Sequence, residues 1–201
     1  MNQNAKYGKL VWLIQLSALV ALLILFSFTG LGYIKVGAIE ITLNVIPVAV
    51  AAIVLGPAAG AICGGVFGIT SFLQCFGLSA FGAAILAVNP VFAFILCFVP
   101  RLLTGWLTAL IFKPFREKAF GPAVPALCCP LMNTVGFIGC FLLLFRHSEY
   151  FATLMSASGA ASLIRFVLWF VGINGAVEAG VSFVVSTAVA KALLKANKRI
   201  H

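Results

Sequence analysis

A chain of 201 residues that is 63% hydrophobic, 8% charged and +1.19 in mean hydropathy lies outside the composition of a water-soluble domain and belongs in a bilayer. Its net charge of +9 does not point to nucleic acid, because the 13 Lys and Arg residues are spread over the termini and short loops rather than gathered on one soluble face. Asp is absent, which argues against chemistry built on Asp-ligated magnesium. The six cysteines (Cys63, Cys75, Cys97, Cys128, Cys129 and Cys140) sit in apolar stretches without a C-x-x-C, so they read as packing residues and not as a metal or disulfide framework. No metal and no cofactor are expected.

Spanning about 30 Å of hydrocarbon takes on the order of 20 apolar residues per helix, so the length leaves room for about six passes. The first runs from Leu10 to Phe28 behind Lys6 and Lys9. It is too long for a signal peptide and has no A-x-A site, so a retained helix is expected. Ser17, Ala18 and Ala21 form a small-residue patch on it, suited to close approach by another helix. Thr29 to Glu40 reads as a loop, since Lys35 and Glu40 are costly in hydrocarbon. The second segment, Ile41 to Leu55, is short and stops at Gly56-Pro57, where proline cannot continue the hydrogen-bond ladder.

The third segment, Ala58 to Phe76, carries Gly60, Gly64, Gly65 and Gly68, a composition for close contact with neighbouring helices. The fourth, Ala83 to Phe112, contains Asn89-Pro90 near its start and Pro100-Arg101 in its middle, so kinks or a broken first turn are expected. The fifth is Ala123 to Phe145 and the sixth Leu163 to Leu194, with a long polar-flanked loop from Arg146 to Ser162 between them. The expected fold is an all-α integral membrane protein: six transmembrane helices in one bundle, residues 1–201 forming a single domain.

Orientation follows from the basic residues. Lys6, Lys9, Lys113, Arg116, Lys118, Lys191, Lys195, Lys198 and Arg199 fall on one side, against Lys35, Arg146 and Arg165 on the other. Both termini are therefore expected in the cytoplasm. The stretches 29–40, 77–82 and 146–162 then face outward, where an incoming ligand meets them first.

Glu178 lies within the sixth segment, where an ionised side chain costs about 2.5 to 3.5 kcal/mol at mid-bilayer. Asn174 is one helical turn earlier on the same face, pairing an amide with a carboxyl. Asn133, Thr134, Asn89 and Gln74 add hydrogen-bonding groups at middle or outer depth, and together these residues suit an outward-facing binding pocket. The plainer reading is that the amides only join helices. Arg101 is expected to snorkel towards the cytoplasmic half in a structural or partner-facing role, and Arg165 is a candidate for a substrate carboxylate or an interfacial anchor.

Two other classes fit less well. A membrane enzyme needs a base beside a nucleophile or a metal cluster, and the chain offers no credible catalytic set. A self-contained secondary transporter would use Glu178 for ion coupling, but no internal repeat joins the two halves.

Five motifs in order carry a resemblance over nearly the whole chain: I-P-V-A-V-A-A-I-V-L-G-P-A-A-G from Ile46 to Gly60, N-P at Asn89, P-R-L-L-T-G-W from Pro100 to Trp106, N-T-V at Asn133, and N-G-A-V-E from Asn174 to Glu178. They resemble the substrate-binding (S) components of energy-coupling factor (ECF) transporters, in the group of pantothenate, riboflavin and folate binders. The resemblance implies a non-catalytic bacterial cell-membrane subunit that captures a water-soluble vitamin from outside. It implies docking on a transmembrane coupling subunit driven by two ATPase subunits, consistent with the lack of any G-x-x-x-x-G-K-[ST] in this chain. The family's A-x-x-x-A docking patch corresponds to Ser17 and Ala21, with Ser in the first place. The family's vitamin pocket maps onto Asn89, Asn133, Asn174 and Glu178. The amide-rich set with few aromatic motifs favours pantothenate over riboflavin or another vitamin, with Arg165 or Lys35 meeting its carboxylate.

Overall fold

A computed structural model describes the backbone of residues 3–29, 32–36 and 39–200; the side chains of residues 3–7, 33–42, 173–174 and 198–200 lie outside what it describes. The elements run α1 (Gln3–Phe28), β1 (Tyr33–Val36), β2 (Ile39–Thr42), α2 (Val45–Leu55), α3 (Pro57–Gln74), α4 (Ala80–Val88), α5 (Pro90–Phe112), α6 (Ala123–Phe145), α7 (Glu149–Ser158) and α8 (Leu163–Ile200). Helices α1, α2, α3, α5, α6 and α8 are the six expected segments, and they form the helical membrane fold. Among the described residues, five helices are long and apolar enough to cross a bilayer by themselves, and α2 is the short exception.

The shortness of α2 has a packing explanation. Its 11 residues span about 16 Å, and Val45 through Ile53 are all buried. A helix that is apolar all round belongs inside a bundle rather than at its surface. Here α2 touches α1, α3, α5, α6 and α8. Gly56 ends it at φ +92°, and Pro57 opens α3 at once, so the chain reverses without a loop. The indole Nε1 of Trp12 donates to the Leu55 carbonyl at 3.1 Å, satisfying an acceptor that the helix end leaves over.

Helices α3 and α5 make the tightest pair. A methyl group at Gly60 would overlap the Gly105 carbonyl, one at Gly105 would overlap the Gly60 carbonyl, and one at Gly64 would overlap the Arg101 carbonyl. Without side chains at this spacing the two backbones touch, so dispersion replaces the hydrophobic drive that lipid cannot supply.

Two connections carry regular structure where loops are expected, and the fourth segment breaks near its start, as Asn89-Pro90 implies. The stretch after α1 is not irregular: β1 and β2 pair antiparallel, with Tyr33 opposite Thr42 and Val36 opposite Ile39. Ile34, Val36, Ile39, Ile41 and Thr42 supply the β-branched composition that outweighs the loop reading, and β2 takes residues expected to begin the second segment. The fourth segment is split, because Asn89 adopts an extended backbone and caps α5 while α4 lies as a separate short helix. The stretch between α6 and α8 contains α7, which Ser148 opens by accepting from the Phe151 amide at 3.1 Å and Gly159 closes in the left-handed region.

Helix α8 is broken at Gly172, whose φ of +54° and ψ of −160° belong to a region open essentially to glycine alone. Nothing lies within 4 Å of where its Cβ would stand, so any penalty of substitution is conformational. Gly172→Ala is expected to destabilise the fold by about 1 to 3 kcal/mol or to straighten α8. The thermal midpoint together with amide exchange in residues 168–176 separates these outcomes.

Candidate functional site

Pro100 has no N–H, so the carbonyl of Leu96, four residues earlier in α5, loses its helical donor. The next residue replaces that donor: Arg101 Nη1 donates to the Leu96 oxygen at 2.7 Å. Helical side chains lean towards the N-terminus of their helix, so Arg101 points up α5 and away from its basic C-terminal end. Its guanidinium lies 4.4 Å from the centroid of the Phe137 ring and 5.6 Å from that of Phe67. Only 9% of the residue is exposed. The expectation that Arg101 snorkels to the cytoplasmic half is therefore corrected.

Arg101 lines a cavity of about 310 Å³ set among α3, α4, α5, α6 and the broken part of α8. Gln74, Asn133, Thr134 and Glu178 line it too, so four of the residues expected in a pocket do share one. Gln74 is buried, and its Nε2 donates to the Ser27 carbonyl, tying the end of α3 to the end of α1. Oδ1 of Asn133 is buried without a hydrogen-bond partner among the described residues. An acceptor in that state costs on the order of 1 to 3 kcal/mol until a donor reaches it. Glu178 is half-buried on the α8 wall, beyond the Gly172 break.

The other expected residues fall elsewhere. The Oδ1 of Asn89 accepts from the amides of Val91 and Phe92 at 3.0 and 3.1 Å, so this side chain caps α5 and is not part of the cavity wall. Arg165 is exposed in the first turn of α8 and does not line the cavity. The side chains of Asn174 and Lys35 lie outside the described residues. Ser17, Ala18 and Ala21 are exposed on the outer face of α1, flanked by exposed Leu13, Ile14, Leu22 and Leu25.

The reading of a pocket poor in aromatics is also corrected. Phe67, Phe81, Phe137 and Phe170 line the cavity, and Phe81 contacts Phe137, Phe170 and Tyr150 at centroid distances of 6.0, 5.7 and 6.1 Å. These rings are far apart in sequence and form no local motif. Two thiols share the wall, with Cys75 and Cys97 Sγ atoms 3.8 Å apart. Arg101 is the main cavity residue that sequence reasoning missed, and its signal is present: a proline before it frees an acceptor, and helix geometry sends its side chain towards that acceptor.

Among the described residues the cavity therefore has an apolar aromatic wall, one cation, one carboxyl and several amide or hydroxyl groups. At about 310 Å³ it is near the lower end of the roughly 300 to 1,000 Å³ usual for small-molecule sites. It lies near the ends of α1 and α3 that meet at Ser27 and Gln74. The opposite end of the bundle gathers Trp12, Arg116, Lys118, Lys191 and Lys195.

The family model described as the ECF transporter substrate-specific component matches residues 12–190. The chain is also 33% identical over 147 residues to the pantothenate transporter PanT of Leuconostoc mesenteroides subsp. mesenteroides, an alignment covering 68% of each protein. A match spanning nearly every helix agrees with the order of motifs and with the bundle they form, and it makes this chain a member of the ECF transporter substrate-specific component family.

Proposed function

We propose that this chain captures pantothenate at the outer face of a bacterial cell membrane and delivers it to an ATP-driven coupling complex. The observation that carries the reading is Arg101, a buried cation aimed into a small cavity beside the open acceptor of Asn133. Pantothenate has a carboxylate at one end, an amide in the middle, and at the other end two hydroxyls whose carbons flank a gem-dimethyl carbon. In this reading Arg101, rather than Arg165 or Lys35, binds the carboxylate. Asn133 accepts from a hydroxyl or the amide N–H, Glu178 accepts from a hydroxyl, and the phenylalanines cover the methyl groups. The similarity to a protein named a pantothenate transporter supports the same substrate. A cavity this small fits an acyclic molecule better than a tricyclic flavin.

The test is to purify the chain in detergent and identify by mass spectrometry what stays bound, then to titrate pantothenate and riboflavin. Copurified pantothenate with nanomolar affinity is expected. Riboflavin binding in its place would overturn the substrate. Glu178→Gln keeps an acceptor but removes its charge, so pantothenate binding should weaken by no more than about tenfold, whereas Glu178→Leu should lose on the order of 100-fold. Isothermal titration of both variants checks this.

Energy is assigned to partners: a transmembrane coupling subunit and two ATPases. The exposed patch of Ser17, Ala18 and Ala21 on α1 is the proposed docking surface. Ala21→Trp should reduce uptake by the assembled complex at least tenfold while leaving pantothenate binding by the isolated subunit unchanged. Uptake into liposomes by the purified chain alone would instead favour a secondary transporter coupled through Glu178.

A further inference from the structure

The end of the bundle remote from the cavity holds a second concavity, of about 700 Å³. Arg116 and Lys118, from the turn between α5 and α6, face Lys191 and Lys195, which stand one turn apart on α8. Among the described residues Glu117 is the one acid on this wall, so the lining carries a net charge of +3 from four cations and one anion. Its floor is apolar, formed by Val54, Leu55, Phe112 and Leu194. The amides nearby satisfy each other: Gln15 Nε2 donates to Asn197 Oδ1 at 2.8 Å, and Asn197 Nδ2 donates back to Gln15 Oε1 at 3.3 Å. The floor and amide wall are thus held together without a ligand, while Arg116, Lys191 and Lys195 surround a concave space and Lys118 lies at its rim, its Nζ 5.4 and 5.6 Å from the Phe115 and Phe120 rings.

A second hollow, of about 610 Å³, shares Gly8 and Trp12 with this cup and continues past Lys9 and Leu13. Gly8 carries no side chain to separate the two spaces. Leu10, Leu13 and Ile14 of α1 are each more than half exposed beside it, so the track leads onto an apolar helix face. Basic residues at one end of a membrane protein are expected from topology alone. A cationic cup with an apolar floor that opens into an apolar track is more specific, because it matches the head and the chain of one amphiphile.

We infer that this cup and track form a binding site for a single bilayer phospholipid with an anionic headgroup, its phosphate among Arg116, Lys118, Lys191 and Lys195 and one acyl chain beside Trp12 and Leu13. Charge complementarity selects the headgroup, and the continuous apolar track selects a lipid over a free anion. Interfacial cations each strengthen association with anionic lipid roughly fivefold.

Trp12 lines both spaces and reports occupancy directly. In a chain carrying Trp106→Phe and Trp169→Phe, phosphatidylglycerol with brominated acyl chains should quench Trp12 at a mole fraction at least about tenfold lower than brominated phosphatidylcholine. Lys191→Gln with Lys195→Gln should remove that preference, and millimolar glycerol phosphate should not displace the lipid. Equal quenching by the two lipids, or a preference unchanged by the double substitution, would overturn the site. Displacement by glycerol phosphate would overturn the lipid in favour of a soluble anion. If the single-tryptophan chain fails to fold, native mass spectrometry of the unsubstituted chain reads the same question: one phosphatidylglycerol should be retained in preference to phosphatidylcholine and lost in the double-lysine variant. Equal retention of the two lipids would overturn the proposal.

Discussion

Arg101→Ala is expected to weaken pantothenate binding at least about 100-fold. Truncating one partner of a buried, hydrogen-bonded charge pair costs on the order of 2 to 5 kcal/mol, and here the ligand carboxylate would be left without its cation. The substitution has a structural effect too. It removes the donor to the Leu96 carbonyl and the contacts with the Phe137 and Phe67 rings, so the free protein should also lose stability. The two effects separate with the neutral alcohol analogue of pantothenate. The unsubstituted chain should strongly prefer the carboxylate, and Arg101→Ala should bind acid and alcohol equally. Arg101→Lys should recover part of the preference, because it restores charge without the planar fork. If the alanine variant still discriminates acid from alcohol, Arg101 does not bind the carboxylate.

Gly64→Ala is expected to damage both stability and binding. Its methyl would overlap the backbone carbonyl of Arg101, and backbone cannot rotate away as a flexible side chain can. Helices α3 and α5 must separate, which costs about 1 to 3 kcal/mol for an overpacked contact and more if the neighbouring Gly60–Gly105 contact opens with it. Arg101 rides on the displaced backbone, so pantothenate affinity should fall alongside the thermal midpoint. Gly139→Ala in α6 is the matched control. Nothing lies within 4 Å of its added methyl, and alanine is the better helix former, so stability should stay equal or rise by up to about 1 kcal/mol. Equal midpoints for the two variants would show that the α3–α5 contact is not close-packed.

Much of the bundle is legible in the order of residues alone. Apolar runs interrupted by Gly56-Pro57 and Asn89-Pro90 mark where one helix stops and the next begins, since proline fits the first turn of a helix and disfavours a helical residue before it, whereas Pro100 and Pro130 stand inside α5 and α6. Gly60 and Gly64 announce a close helix contact for a similar reason: the absence of a side chain is a property of the residue itself. Polar groups in apolar segments are equally visible, and Gln74, Asn133, Thr134 and Glu178 do line one cavity.

Where side chains point is not legible in the same way. Asn89 is expected in the pocket, but the extended backbone before Pro90 turns its oxygen onto the first amides of α5, where it caps the helix. Arg165 has the right charge but sits on an exposed turn of α8, while Arg101, expected to reach the other way, is drawn to the acceptor that Pro100 exposes. The four phenylalanines of the cavity come from α3, α4, α6 and α8, and no local pattern unites them.

A helical membrane bundle, the order and ends of most of its helices, and the glycine face that joins two of them are thus properties of the amino-acid sequence. They follow from hydropathy and from the backbone properties of proline and glycine, which act locally. Which cation enters the cavity, which amide is spent as a cap and which rings form the wall are properties of the folded bundle. Those outcomes depend on the rotation and crossing of helices distant in sequence, and that is set by packing across the whole bundle.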